Sequence, residues 1–148
     1  MSQRYKDIVF AGFAGILIGL LATPVLINLG FADIVGNSFW AISAFVISLG
    51  ALTAAGMIAA YFLSRFAPIF LQLAKFIVVG VLNTLVDFGV LNIFIYFTGV
   101  ALGPLYVFFK SISFIAGALN SYVWNKYWTF GSKNKDPKEI VQFFAVSM

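Results

Sequence analysis

Long apolar runs alternate with short polar segments along this chain. Residues 8–32 and 34–64 carry no charge, residues 76–98 carry a single one at Asp87, and residues 105–128 carry Lys110 near their start. A transmembrane helix needs about 20 apolar residues to cross ~30 Å of hydrocarbon at a rise of 1.5 Å per residue. Each run meets that requirement, so the pattern predicts four membrane-spanning helices. Gly30, Asp33, Gly36 and Asn37 mark the turn between the first two, and Gly99, Gly103 and Pro104 mark the turn between the last two. Beyond Phe130 the polar stretch Gly-Ser-Lys-Asn-Lys-Asp-Pro-Lys-Glu cannot enter a bilayer, and residues 140–148 then turn apolar again. Nine residues rise about 13.5 Å, under half the hydrocarbon thickness. The expected fold class is an all-α, polytopic transmembrane helical bundle of four full helices plus the start of a fifth, with the sequence breaking off inside that fifth span.

Composition points to the same solvent. Of 148 residues, 62% are hydrophobic and 9% charged, with a mean hydropathy of +1.02. A soluble domain has ~25% charged residues, so polar side chains are too few here to cover a water-facing surface. Disorder is excluded as well, since it requires low hydrophobicity. The chain has no Cys and no His, which removes thiolate and imidazole ligands and most nucleophilic triads. It has no phosphate-binding G-x-x-x-x-G-K-[ST] loop and no carboxylate pair at catalytic separation. These absences argue against an enzyme, a metal site and a cofactor.

The formal net charge is +4, but the basic residues are scattered between apolar runs rather than gathered in a stripe, which argues against nucleic acid. Membrane topology explains them better. Arg4 and Lys6 precede the first helix, Arg65 and Lys75 follow the second, and Lys126, Lys133, Lys135 and Lys138 follow the fourth. Of the nine basic residues all but Lys110 thus lie on alternate connections, which places the N-terminus and the 133–138 loop in the cytoplasm. The first apolar run is too long for a signal-peptide core and lacks an A-x-A cleavage pattern, so it reads as a retained helix. Trp40, Tyr96 and Tyr106 fit the outer aromatic belt, and Trp124, Tyr127 and Trp128 the inner one.

An ionisable side chain at mid-membrane costs ~2.5–3.5 kcal/mol and is a functional hypothesis by default. Asp87 lies eleven residues before Thr98, roughly 16 Å deep. Gly80, Asn83, Thr84 and Asp87 share one helix face by their i, i+3, i+4, i+7 spacing. For Asn83 and Thr84 the plainer alternative is interhelical hydrogen bonding at ~0.6 kcal/mol per contact. Lys110 lies roughly 8 Å into the membrane, shallow enough to snorkel outward. Its alternatives are an anionic head group or an ion pair with Asp87, which is about 9 Å deeper and demands an inward bend. Ser113, Gly117, Asn120, Ser121 and Trp124 form a second stripe on the fourth helix. Two facing stripes make a groove, ended by Asn125 and by Lys126, which either receives phosphate or simply obeys the positive-inside pattern. Asn83, Thr84, Asp87, Lys110, Asn120, Asn125 and Lys126 are therefore the candidate substrate-binding residues.

No ionisable residue is expected to enter either of the first two helices. Ala11, Gly15 and Gly19, and Ala51, Ala55 and Ala59, follow the small-xxx-small spacing that lets backbones approach. They read as packing scaffold, with Pro24 expected to kink the first. Residues 75–81 (KFIVVGV) and 142–148 (QFFAVSM) share Phe and Val positions, as a parallel repeat of two-helix units would.

Lys75-Phe76, then Val79-Gly80-Val81-Leu82-Asn83-Thr84 and Asp87, and the closing Asn125-Lys126-Tyr127-Trp128-Thr129-Phe130 resemble the GtrA-like family of small polytopic membrane proteins. The resemblance covers residues 75–148, an incomplete four-helix domain, and leaves residues 1–70 as an N-terminal transmembrane hairpin extension. It implies an integral protein of a bacterial or archaeal plasma membrane. It further implies flipping of a polyprenyl-phosphate-linked sugar for cell-surface polysaccharide synthesis or glycan modification. Asp87 and the Asn amides would then meet sugar hydroxyls, and Lys110 or Lys126 the phosphate. Two alternatives stand beside it. One is a non-catalytic interaction subunit that recruits a glycosyltransferase, and the other is a cation-coupled small-molecule exporter. Four helices and a fragment enclose little volume, which is compatible with homo-oligomers surrounded by membrane lipid.

Overall fold

A computed structural model describes residues 2–28 and 38–130. Among the described residues there are four α-helices, α1 (Gln3–Asn28), α2 (Phe39–Leu63), α3 (Ile69–Thr98) and α4 (Pro104–Trp124), and a π-helical turn, Asn125–Thr129, continues α4. No strand occurs among the described residues. The protein is an all-α polytopic membrane protein. The turn expected at residues 30–37, the 133–138 loop and the apolar segment 140–148 lie outside the described residues.

Three helices, α1 to α3, are long and apolar enough to cross a membrane. Side chains such as Phe13, Leu20, Ile47, Leu52, Ile77 and Ile93 point outward from them. Apolar residues exposed all round a helix are stable in lipid and not in water. The fourth expected span differs in character. α4 has 21 residues, about 31 Å of helix, but Lys110, Ser111, Ser113, Asn120 and Ser121 interrupt its apolar run, and it is not among those three.

The chain forms two compact units, Met1–Leu82 and Asn83–Met148. In the first, α1 packs on α2. Ala11 and Ala14 are fully buried, and the Thr53 hydroxyl donates to the Ala11 carbonyl at 2.8 Å. Gly15 makes this approach possible. A Cβ there would collide with the Thr53 hydroxyl and lie 2.6 Å from the Leu49 carbonyl oxygen. On α2 the buried face is Val46, Gly50, Met57 and Ala60, and not the expected Ala51, Ala55 and Ala59, which are exposed. That helix carries small residues in more than one row, and spacing alone does not choose between them. The missing side chain of Gly50 and the hydroxyl of Thr53 do.

Helix ends also depart from the apolar runs. α1 begins at Gln3, with the Ser2 carbonyl accepting from the Tyr5 and Lys6 amides, and α3 begins at Ile69. Apolar runs mark membrane contact, whereas a helix continues into the polar flank while its backbone bonds are satisfied. Asp7 and Lys75 are thereby carried into helices, so the expectation that no ionisable residue enters the first helix is corrected. Pro24 lies within α1, which continues past it to Asn28.

In the second unit, Gly99 and Gly103 take positive φ of 69° and 85°, the left-handed region a turn requires and glycine adopts without strain. Pro104 then opens α4, where its missing N–H has no partner to lose. Phe94 of α3 stacks on Phe109 of α4 with centroids 4.8 Å apart. The fourth helix, expected to run α-helically to Trp128, widens at Asn125 into the π turn, closed by the Phe130 amide on the Asn125 carbonyl at 2.9 Å.

Candidate functional site

Asp87 is the centre of the second unit. Gly117 lets α4 come close to it, since a Cβ at Gly117 would lie 3.2 Å from the Asp87 Cβ and 3.4 Å from the Asn83 carbonyl oxygen. The carboxylate is bound on both oxygens. Lys110 Nζ donates to Oδ2 at 2.5 Å, and the fully buried Ser113 hydroxyl donates to Oδ1 at 2.6 Å.

Of the three fates open to Lys110, the structure shows the inward one. Ser113 reaches Asp87 with a side chain of one carbon, and Lys110 lies three residues, roughly 4.5 Å of helix, nearer the start of α4. The four-carbon lysine stem spans that offset. The ammonium also lies 5.7 Å from the centroid of the Phe88 ring, a favourable cation–π placement. Charge neutralisation within the protein replaces the water that snorkelling would have supplied. Side-chain exposure is 39% for Lys110 and 20% for Asp87, so the pair is shielded on the carboxylate side and reachable on the ammonium side.

Below this pair opens a groove of about 230 Å³ lined by Asn83, Thr84, Asp87, Phe114, Gly117, Ala118 and Ser121. Asn120 Nδ2 donates to Asn83 Oδ1 at 3.3 Å across the two helices. The two sequence stripes therefore face each other. The groove offers an amide, two hydroxyls and a carboxylate beside one aromatic ring, a set that hydrogen-bonds a polyol while the ring covers its apolar face.

The remaining two candidate residues lie elsewhere in this unit. Asn125 is buried in the π turn, its Nδ2 donating to the Ser121 hydroxyl at 3.2 Å, and neither it nor Lys126 lines the groove. Lys126 Nζ donates to the Tyr122 hydroxyl at 2.8 Å. Asn125 Oδ1 and Thr129 Oγ1 are buried without a hydrogen-bond partner.

Sequence reasoning missed Ser113 as a ligand of Asp87, although its place in the stripe was visible. It also missed a buried cluster in the first unit, where Asp7 pairs with Lys75 at 2.7 Å. The available signal was that Asp7 is the sole acid ahead of the first apolar run, set among Arg4 and Lys6.

Comparisons with known proteins bear on the same half of the chain. The family model "GtrA/DPMS, transmembrane domain" matches residues 75–148. An uncharacterized membrane protein of Bacillus subtilis (strain 168), YngA, is 46% identical over 77 residues, which is 51% of this chain and 49% of that protein. The chain thus spans about half the length of that curated relative. No solved structure matches. With Asn83, Asp87 and the Asn125–Thr129 turn all inside the matched region, the chain belongs to the GtrA/DPMS transmembrane-domain family.

Proposed function

We propose that this membrane protein moves a polyprenyl-phosphate-linked sugar from the inner to the outer leaflet of a bacterial or archaeal plasma membrane, without itself making or breaking covalent bonds. The sugar lipid would feed cell-surface polysaccharide synthesis or glycan modification. The observation that carries the reading is the polar groove between α3 and α4, with its ion pair set in membrane helices. A lipid-linked sugar needs such a surface for its head while its tail stays in hydrocarbon. Asn83, Thr84, Asp87, Asn120 and Ser121 bond the hydroxyls. Lys110, the more exposed partner of Asp87, takes the phosphate on one side of the path, and Lys126 serves its cytoplasmic end, where the buried Asn125 holds the π turn. The basic flanks support an orientation with the N-terminus in the cytoplasm.

A second reading is favoured by one observation, that both oxygens of Asp87 already have partners. On that reading the pair is interhelical glue, and the protein is a membrane subunit that recruits a glycosyltransferase. Sealed vesicles containing the protein and a fluorescent polyprenyl-phosphate sugar separate the two. Protein-dependent loss of label to an impermeant quencher should fall at least tenfold in Asp87→Asn. Unchanged movement in that variant removes the groove from transport and leaves the recruiting subunit.

A further inference from the structure

The N-terminal hairpin contains a polar centre that the transport reading does not use. Asp7 of α1 is fully buried, and Lys75 of α3 is 6% exposed. Asp7 Oδ2 lies 2.7 Å from Lys75 Nζ and accepts from the Tyr61 hydroxyl of α2 at 2.5 Å. Its other oxygen accepts from Gln3 Nε2 at 3.1 Å. The Arg4 guanidinium lies 5.5 Å from the centroid of the Tyr61 ring. One carboxylate thus gathers donors from three helices, and two of those helices precede the region that the family model matches.

α1 and α2 meet directly where Gly15 and Gly50 let their backbones approach. Lys75 of α3 joins their polar contacts at Asp7. A buried lysine without a counter-ion is strongly disfavoured. Lys75 opens the family region, and its counter-ion comes from outside that region.

We propose that Asp7 is the latch by which the α1–α2 hairpin is seated on the first helix of the family domain. The hairpin is then an accessory subunit carried on the same chain, and the surface it occupies on α3 is a docking site for a helix pair that presents a buried carboxylate next to a tyrosine hydroxyl. The latch does not depend on what the groove transports.

The test uses the full chain with a site-specific protease sequence inserted between Arg65 and Phe66, both exposed in the α2–α3 connection. Cleavage after folding leaves Asp7 and Tyr61 on one piece and Lys75 on the other. In mild detergent the two pieces of the parent should co-elute on size exclusion. Asp7→Asn, which keeps the shape and removes the charge, should lower the co-eluting hairpin at least tenfold. Lys75→Met should do the same from the other side, and it serves alone if Asp7→Asn does not fold. The exchange Asp7→Lys with Lys75→Asp should restore co-elution. Co-elution at parental yield in both single variants overturns the proposal, as does separation of the parental pieces or failure of the exchange to recover them. A negative transport assay leaves this result untouched, because the readout is association.

Discussion

Gly15→Ala tests the helix contact that builds the hairpin. The added Cβ would overlap the Thr53 hydroxyl and lie 2.6 Å from the Leu49 carbonyl oxygen and 2.9 Å from the Gly50 Cα. Two of those three atoms are backbone, so no rotamer change relieves the overlap and α1 must move off α2. Overpacking of this kind costs about 1–3 kcal/mol. Displacing the Thr53 hydroxyl from the Ala11 carbonyl adds roughly 0.6 kcal/mol, the mean for interhelical bonds in membranes. Against these, Ala improves helix propensity by about 0.5–1 kcal/mol. The net loss is about 1–3 kcal/mol, which for a chain near 150 residues lowers the thermal midpoint by roughly 2–12 °C. The matched control is Gly56→Ala, where a Cβ meets nothing within 4 Å and only the propensity gain remains. Thermal denaturation in mild detergent, followed by the fraction still monodisperse, reads both. An unchanged midpoint for Gly15→Ala, or an equal loss for Gly56→Ala, refutes the close approach of α1 and α2.

In the second unit, Ser113→Ala removes the donor to Asp87 Oδ1 and should lower the midpoint by the equivalent of about 1 kcal/mol, measured in the same detergent assay. Asp87→Asn combined with Lys110→Met should be more stable than the sum of the two single losses predicts, with a coupling of at least about 0.5 kcal/mol in a double-mutant cycle. Strict additivity would show that the pair does not form. Asn120→Ala should cost roughly 0.6 kcal/mol and slow sugar-lipid movement in sealed vesicles, since it releases Asn83 from its place on the groove wall. Gly117→Ala sets a methyl 3.2 Å from the Asp87 Cβ. It should slow movement more than Gly80→Ala, where a Cβ finds open space.

Both polar stripes are legible in the sequence. Asn83, Thr84 and Asp87 share a face by helical periodicity, and so do Ser113, Gly117 and Ser121, because the period of 3.6 is a property of the backbone. Spacing left three fates open for Lys110, since depth along one helix says nothing about what the neighbouring helix presents. The close approach at Gly117 and the length of the lysine stem select the pair with Asp87. Asp7 shows a different limit. It lies outside the apolar run, where an acid reads as solvated flank, and only a helix that starts at Gln3 and meets both Tyr61 and Lys75 makes it buried.

Membrane solvent, the four described helices, the turn at residues 99–104 and the faces of the polar stripes follow from the sequence itself, because hydropathy and periodicity act locally along the chain. Which row of small residues on α2 receives α1, which acid each lysine binds, and the widening of α4 at Asn125 were decided by tertiary structure. Each of these depends on the shape and hydrogen-bonding groups of a second helix, and that information is distributed across residues far apart in sequence.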